Sequence, residues 1–418
     1  DDGKGIEVDT SGNCYVTGVT GSSGWVSGGY QTALAGGNDG FVVKLSGAGA
    51  YAWSSYLGGT GDDYGVDIAA DTSGNCYVTG YTYSSGWVSG GWNTSLNDGS
   101  GSTSDYDGFV VKLSGAGAHV WSSYLGGTGN DDGKGIEVDT SGNCYVTGGT
   151  HSSGWVSGGW NTSLNGGGGG TSEHDGFVVK LDPAGAHLWS SYLGGTADDY
   201  GYGIAADTSG NCYVTGETNT SGWVSGGGNT LLNGGSGNTS DMDAFVVKLS
   251  RSGTHVWSSY LGGLYIDWGN GIAVDSSKNC YVTGATFSGG WAIYGWRTVH
   301  GGFEDAFVAK IVDNSILPLA PSNPAAVSIG ANTITWLWND NSDDETGFKV
   351  YADPGASAPA TLQTTTAPDV ISWPYTALSP DTQYAFQVAA TNAYGDSDKT
   401  PGIAAWTLAA IPAAPLLS

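Results

Sequence analysis

Short apolar runs separated by turn residues alternate along the first three quarters of the chain. In the second repeat they fall at 66–70, 76–79, 109–113 and 119–125. Val, Tyr, Trp and Thr fill these runs, which predicts four short β-strands, A to D. Between A and B lies Asp71-Thr-Ser-Gly-Asn75, and between C and D lies Ser114-Gly-Ala-Gly117. Gly and Asn at such places supply positive φ cheaply, so both read as tight turns.

The same pattern returns at a fixed period. A Cys-Tyr-Val-Thr-Gly run has its Cys at 14, 76, 144, 212 and 280. A run ending in Lys places that lysine at 44, 112, 180, 248 and 310. Trp-Ser-Ser-Tyr-Leu-Gly-Gly starts at Trp53, Trp121, Trp189 and Trp257. The distance from each Lys to the next Cys is constant, so all length variation falls in the B–C connection, 82–107 in the second repeat. Connections in an antiparallel sheet alternate between its two ends. The B–C loops and D–A links therefore share one end, where variation in length marks a binding face. A lone four-stranded sheet cannot bury both faces, whereas radial stacking can. The expected fold is all-β: a five-bladed β-propeller of four-stranded blades over residues 1–313.

Five copies of A, B and C occur, but only four of D. The missing strand is expected upstream of Asp1, where the chain opens as if processed or trimmed. Ser315 to Leu319 is a weak substitute, because Pro318 removes a ladder donor. An open edge recruits a strand from another chain or segment. The alternatives are closure within one chain and a blade left with three strands.

Composition narrows the function classes. Glycine contributes 74 of 418 residues without a three-residue period, which excludes collagen. The 17 Trp argue for a folded chain. Asp and Glu outnumber Lys and Arg by 39 to 12, and the net charge of −27 repels phosphate backbones and anionic lipid. Nucleic acid is not an expected partner. No apolar run is long enough to insert in a membrane.

The run Gly271–Gly284, with Asp-Ala-Phe-Val-Ala-Lys and Trp-Ser-Ser-Tyr-Leu-Gly-Gly, resembles the bacterial SBBP-type β-propeller repeat. The resemblance covers 1–313 and implies a secreted or cell-surface protein without catalytic residues. It also implies seven blades, against five repeats here. Residues 334–336, 348–351, Leu378-Ser-Pro-Asp-Thr-Gln-Tyr384 and Val388-Ala-Ala-Thr-Asn392 resemble a fibronectin type III domain over 321–408, with Tyr384 as its corner tyrosine. Residues 314–320 read as a linker, and 409–418 as a Pro/Ala-rich linker or tail.

Several constellations are candidate chemistry. The loops carry Trp87, Trp92, Trp155, Trp160, Trp291 and Trp296 among Asn, Asp and Ser, as sugar sites do. The opposing reading is that each indole folds back over the blade edge. Asp62-Asp63, Asp131-Asp132 and Asp198-Asp199 in the D–A links are candidate calcium ligands, or else turn formers. No cofactor is required by any motif. Asp107 with Lys112, Asp175 with Lys180 and Asp243 with Lys248 are expected to form a blade-to-blade polar clamp. Asn93, Asn161, Asn219 and Asn238 begin glycosylation sequons. The five Cys have no Cys-x-x-Cys spacing and read as reduced thiols. His119, His187 and His255 recur at one D-strand position in separate blades and make no triad.

The sequence therefore predicts a non-catalytic extracellular structural protein that associates with copies of itself through strand completion or propeller–sandwich contacts. The alternative is a carbohydrate-binding adhesin using the Trp/Asp loop face. An accessory part of a secreted glycan-degrading enzyme is the third reading.

Overall fold

The structure is a computed structural model. It describes all residues except 97–104, 166–173, 233–241, 293–298, 312–317, 343–344, 356–357, 393–394 and 411–418. The chain divides into two compact units, Asp1–Asp313 and Asn314–Ser418.

The first unit is made of successive antiparallel sheets, each built from consecutive strands. The first sheet holds β1 (Asp2–Val8), β2 (Cys14–Thr20), β3 (Asp39–Leu45) and β4 (Tyr51–Leu57). The second holds β5 (Asp63–Ala70), β6 (Cys76–Thr82), β7 (Asp107–Leu113) and β8 (His119–Leu125). The third holds β9 (Asp131–Val138), β10 (Cys144–Thr150), β11 (Asp175–Leu181) and β12 (His187–Leu193). The fourth holds β13 (Asp199–Ala206), β14 (Cys212–Thr218), β15 (Asp243–Leu249) and β16 (His255–Leu261). The fifth has three strands among the described residues: β17 (Asp267–Val274), β18 (Cys280–Thr286) and β19 (Asp305–Ile311). The substitute strand expected near Ser315 falls largely outside the described residues.

Why the repeat keeps Thr-Gly in its second strand is visible at Gly80. Strand β5 carries a bulge between Gly65 and Asp67, which pushes the Tyr64 carbonyl toward β6. A Cβ on Gly80 would lie 1.8 Å from that oxygen, so only glycine fits.

Each sheet packs on the next, chiefly against the first strand of that following sheet. The interlock repeats. Lys44 Nζ and Trp53 Nε1 both donate to Gly115 O of the next sheet, at 3.0 and 3.1 Å. Lys112 and Trp121 do the same to Pro183 O, and Lys180 and Trp189 to Arg251 O. Lysine aliphatic stems and tyrosine rings fill the seam, with Lys112 Nζ 4.8 Å from the Tyr77 ring centre. The expected blade-to-blade clamp is thus made on its lysine side, by lysine–carbonyl bonds and not by lysine–aspartate pairs. Asp107 and Lys112 stand at opposite ends of β7, and the lysine's hydrogen-bond partner is a carbonyl of the next sheet. The aspartate position serves its own loop, as Asp175 does in accepting from Asn165 N at 2.9 Å.

The row of sheets has two unlike ends. Among the described residues no strand of the fifth sheet packs on the first to a comparable extent. Val308 is 76% exposed, while Val42, Val110, Val178 and Val246 at the same repeat position are fully buried. At the other end Ile6 is 67% exposed, against 3% for its counterpart Ile68.

The second unit is a two-sheet sandwich. One sheet orders β20 (Ser322–Ile329), β21 (Ile334–Asn339) and β24 (Ser372–Tyr375). The other orders β23 (Leu362–Thr365), β22 (Gly347–Pro354), β25 (Gln383–Asn392) and β26 (Gly395–Asp396), with β27 (Ile403–Trp406) also on β25. Trp336, Trp338, Phe348 and Phe386 form its core. Tyr384 OH accepts the Ser379 N–H at 3.0 Å, the corner contact expected of that tyrosine.

Candidate functional site

Two expected sites turn out to be parts of one internal network. Asp63 opens β5 and is buried. Its carboxylate accepts from the Thr82 and Ser84 hydroxyls and from Gly59 N at 2.8 Å. The Thr82 hydroxyl in turn accepts the Trp87 indole N–H at 3.1 Å. Trp87 is buried edge-on against Phe109. The same pattern ties Asp131 to Thr150, Ser152 and Trp155, and Asp199 to Thr218, Thr220 and Trp223. Asp267, Thr286, Ser288 and Trp291 repeat it in the fifth sheet. Burial pushes Asp63 up to about 6, Asp199 to about 7 and Asp131 to about 8.

This geometry supports the turn-forming reading of the aspartate pairs. Asp63, Asp131 and Asp199 spend their oxygens on hydroxyls and amides. Asp62 and Asp198 accept backbone N–H groups of Asn38 and His174. Asp132 is out of register with them and pairs with Lys134 at 3.0 Å. Among the described residues, none of the six joins a cluster of three ligand side chains.

The tryptophan loops run along the fourth strand of their own sheet, where Gly90 bridges Ser122 and Gly158 bridges Ser190. Their second aromatic reaches the next sheet. Trp92 stacks on His187 and Trp160 on His255, each with ring centres 4.2 Å apart. Burial lowers both imidazoles, so they are neutral staples. Trp87 offers no open indole face for a sugar, Trp155 and Trp291 are tied into the same network, and Trp92 and Trp160 each have one face occupied. Trp296 lies outside the described residues. The Asn93 and Asn161 side chains accept from Ser95 N and Ser163 N and shape their own turns. Asn219 Oδ1 is buried, which disfavours a glycan there, and Asn238 lies outside the described residues.

A different cluster occupies the D–A and B–C end of the sheets. It is made of positions where the repeats disagree. Tyr64, Asp132, Tyr200 and Trp268 share one position, and Tyr81, Gly149 and Glu217 another. Tyr83 corresponds to His151, and Tyr106 to His174. These unlike residues meet. Tyr64 stacks on Tyr81 at 4.6 Å, and Tyr106 lies 5.1 Å from Tyr81 and 5.2 Å from Tyr83. Lys134 Nζ stands 5.8 Å from the Tyr81 ring centre. The His151 and His174 rings are 3.4 Å apart, and Tyr200 OH contacts His174 Nδ1. Tyr202 OH donates to Glu217 Oε1 at 2.6 Å. Burial and the neighbouring His151 drop His174 to about 4. Half-buried tyrosines beside carboxylates form an amphipathic surface able to stack on a ring and hydrogen-bond its hydroxyls. Internal comparison of the repeats carried the signal: packing keeps residues alike, and these positions escape that constraint.

The β-propeller repeat model SBBP matches residues 52–86, 120–154, 188–222 and 256–288, and the fibronectin type III domain model matches 319–405. A curated relative, an uncharacterized WD repeat-containing protein of Acanthamoeba polyphaga mimivirus, is 24% identical over 307 residues. That match takes in 58% of this chain and 21% of the relative, so the chain spans about one fifth of the relative's length. Among solved structures, the FN5 domain of Drosophila Lar is 24% identical, covering 22% of this chain and all of that one, with a TM-score of 0.20. The fn3 domain of human contactin 1 is 19% identical over 23% of this chain and 82% of that one, with a TM-score of 0.22. The chain is thus built of SBBP β-propeller repeats followed by a C-terminal fibronectin type III domain.

Proposed function

We propose that this is a non-catalytic extracellular structural protein whose first unit is a five-bladed arc of a propeller and joins further copies of itself head to tail. The carrying observation is the contrast between its ends: Val308 and Ile6 are exposed, while Val42, Val110, Val178 and Val246 and Ile68, Ile136 and Ile204 at the same repeat positions are buried. The two ends are complementary by repetition. In an inner seam, Tyr15 OH donates to Gly74 O at 2.7 Å and Lys44 to Gly115 O. Tyr281 and Lys310 hold those donor positions on the fifth sheet, and Gly12 and Gly47 hold the acceptor positions on the first. A second copy therefore presents the surface that each end lacks. Such a heterologous contact need not close on itself.

Light scattering across a concentration series tests this reading. The wild type is expected to grow with concentration, while Val308→Asp and Ile6→Asp each remain monomeric and folded by circular dichroism. Mixing the two variants should give dimers only, because each keeps one intact end. A wild type that stays monomeric at every concentration overturns the proposal.

A second reading, carbohydrate binding, rests on the tyrosine–histidine surface in place of the tryptophans. Its support is that side chains free to differ between repeats converge there as aromatics and carboxylates.

A further inference from the structure

The second unit brings three carboxylates together. Asp340 follows β21, Glu345 precedes β22, and Asp369 lies between β23 and β24. One carboxylate oxygen from each lies within 4.8 Å of the other two. Oxygens bound across a calcium ion at about 2.4 Å are at most about 4.8 Å apart, so one ion fits among them.

The second observation is Glu345 itself. It is 8% exposed, and its Oε2 has no hydrogen-bond partner. Its other oxygen accepts the Asp369 N–H at 3.2 Å, which turns the carboxyl toward the cluster. A buried carboxylate oxygen without a donor costs on the order of 1–3 kcal/mol unless something compensates it. Among the described residues no lysine or arginine pairs with Glu345 or Asp369. A bound cation supplies the partner that Glu345 Oε2 lacks. The donors are all oxygen, which suits a hard ion and disfavours zinc or copper.

We propose that Asp340, Glu345 and Asp369 form a calcium site that pins the β21–β22 connection to the β23–β24 connection of the fibronectin unit. The site is independent of the assembly proposed above.

The full chain, stripped with EDTA, is titrated with calcium chloride by calorimetry, and hydrogen exchange is followed with and without the ion. One ion per chain is expected, with protection gained in peptides spanning 334–347 and 366–375. Glu345→Gln and Asp369→Asn should each weaken binding at least ~10-fold, since each removes a charged ligand. Asp369 is exposed, so its variant should fold even if the Glu345 change does not. No binding by the wild type, unchanged binding by Asp369→Asn, or protection gained only within 1–313 overturns the proposal.

Discussion

Val42 and Val308 occupy the same place in their repeats, yet one is fully buried and the other 76% exposed. The difference lies in what covers them, since the second sheet lies over Val42. The same change therefore has two outcomes. Val42→Ala should cost about 2 kcal/mol of monomer stability through lost burial and a cavity. Val308→Ala should leave dilute melting unchanged and weaken association. Urea unfolding at low concentration, paired with light scattering at high concentration, separates the two effects.

The shared carbonyl in each seam predicts non-additivity. Pro183 O accepts from both Lys112 and Trp121. Lys112→Met keeps the aliphatic stem and leaves one donor in place, so it should cost only about 1 kcal/mol. Trp121→Phe should cost more, since it also loses volume. With both changes the carbonyl has neither donor, and the double variant should exceed the sum of the singles in chemical denaturation.

Acidity should stabilise the first unit. Asp63, Asp199 and Asp131 lie above their ordinary value of 3.8, at about 6, 7 and 8. The native state thus retains protons that the unfolded chain releases above pH ~4, so stability falls as pH rises from there through about 8. The high net negative charge acts in the same direction. The melting temperature should be higher at pH 7 than at pH 9, a range in which the buried imidazoles are neutral in both states. Asp131→Asn, neutral throughout, should flatten the profile.

Much of the fold is legible in the chain because its repeats are nearly identical. Strand order, the tight turns and the confinement of length changes to one connection follow from the spacing of Cys76, Lys112 and their counterparts. The site was harder to read. Trp87 and Asp63 look like chemistry because they recur beside polar residues, but recurrence is what packing demands, and they serve each other through Thr82. Tyr81 and His174 carry no such signal, because they do not recur. Asp340, Glu345 and Asp369 are separated along the chain, and only the sandwich brings them together.

The tyrosine–histidine surface can be tested apart from assembly. Tyr81 and Tyr106 are half-buried, and burial holds both phenols at about 12, so they remain neutral donors at any physiological pH. His174, held at about 4, is neutral as well, and the charged groups beside the aromatic stack include Asp132, Lys134, Asp198 and Glu217. A neutral aromatic floor with a few charges suits an uncharged or weakly cationic sugar better than an acidic one. If the carbohydrate reading holds, a glycan array should return neutral or amino sugars. Tyr81→Ala and His174→Ala should then lose at least ~10-fold in affinity, about 1.4 kcal/mol. Trp92→Ala, whose indole is engaged with His187, should leave sugar affinity unchanged and lower the melting temperature. Loss of binding in Trp92→Ala with retention in Tyr81→Ala would return the sugar site to the loops.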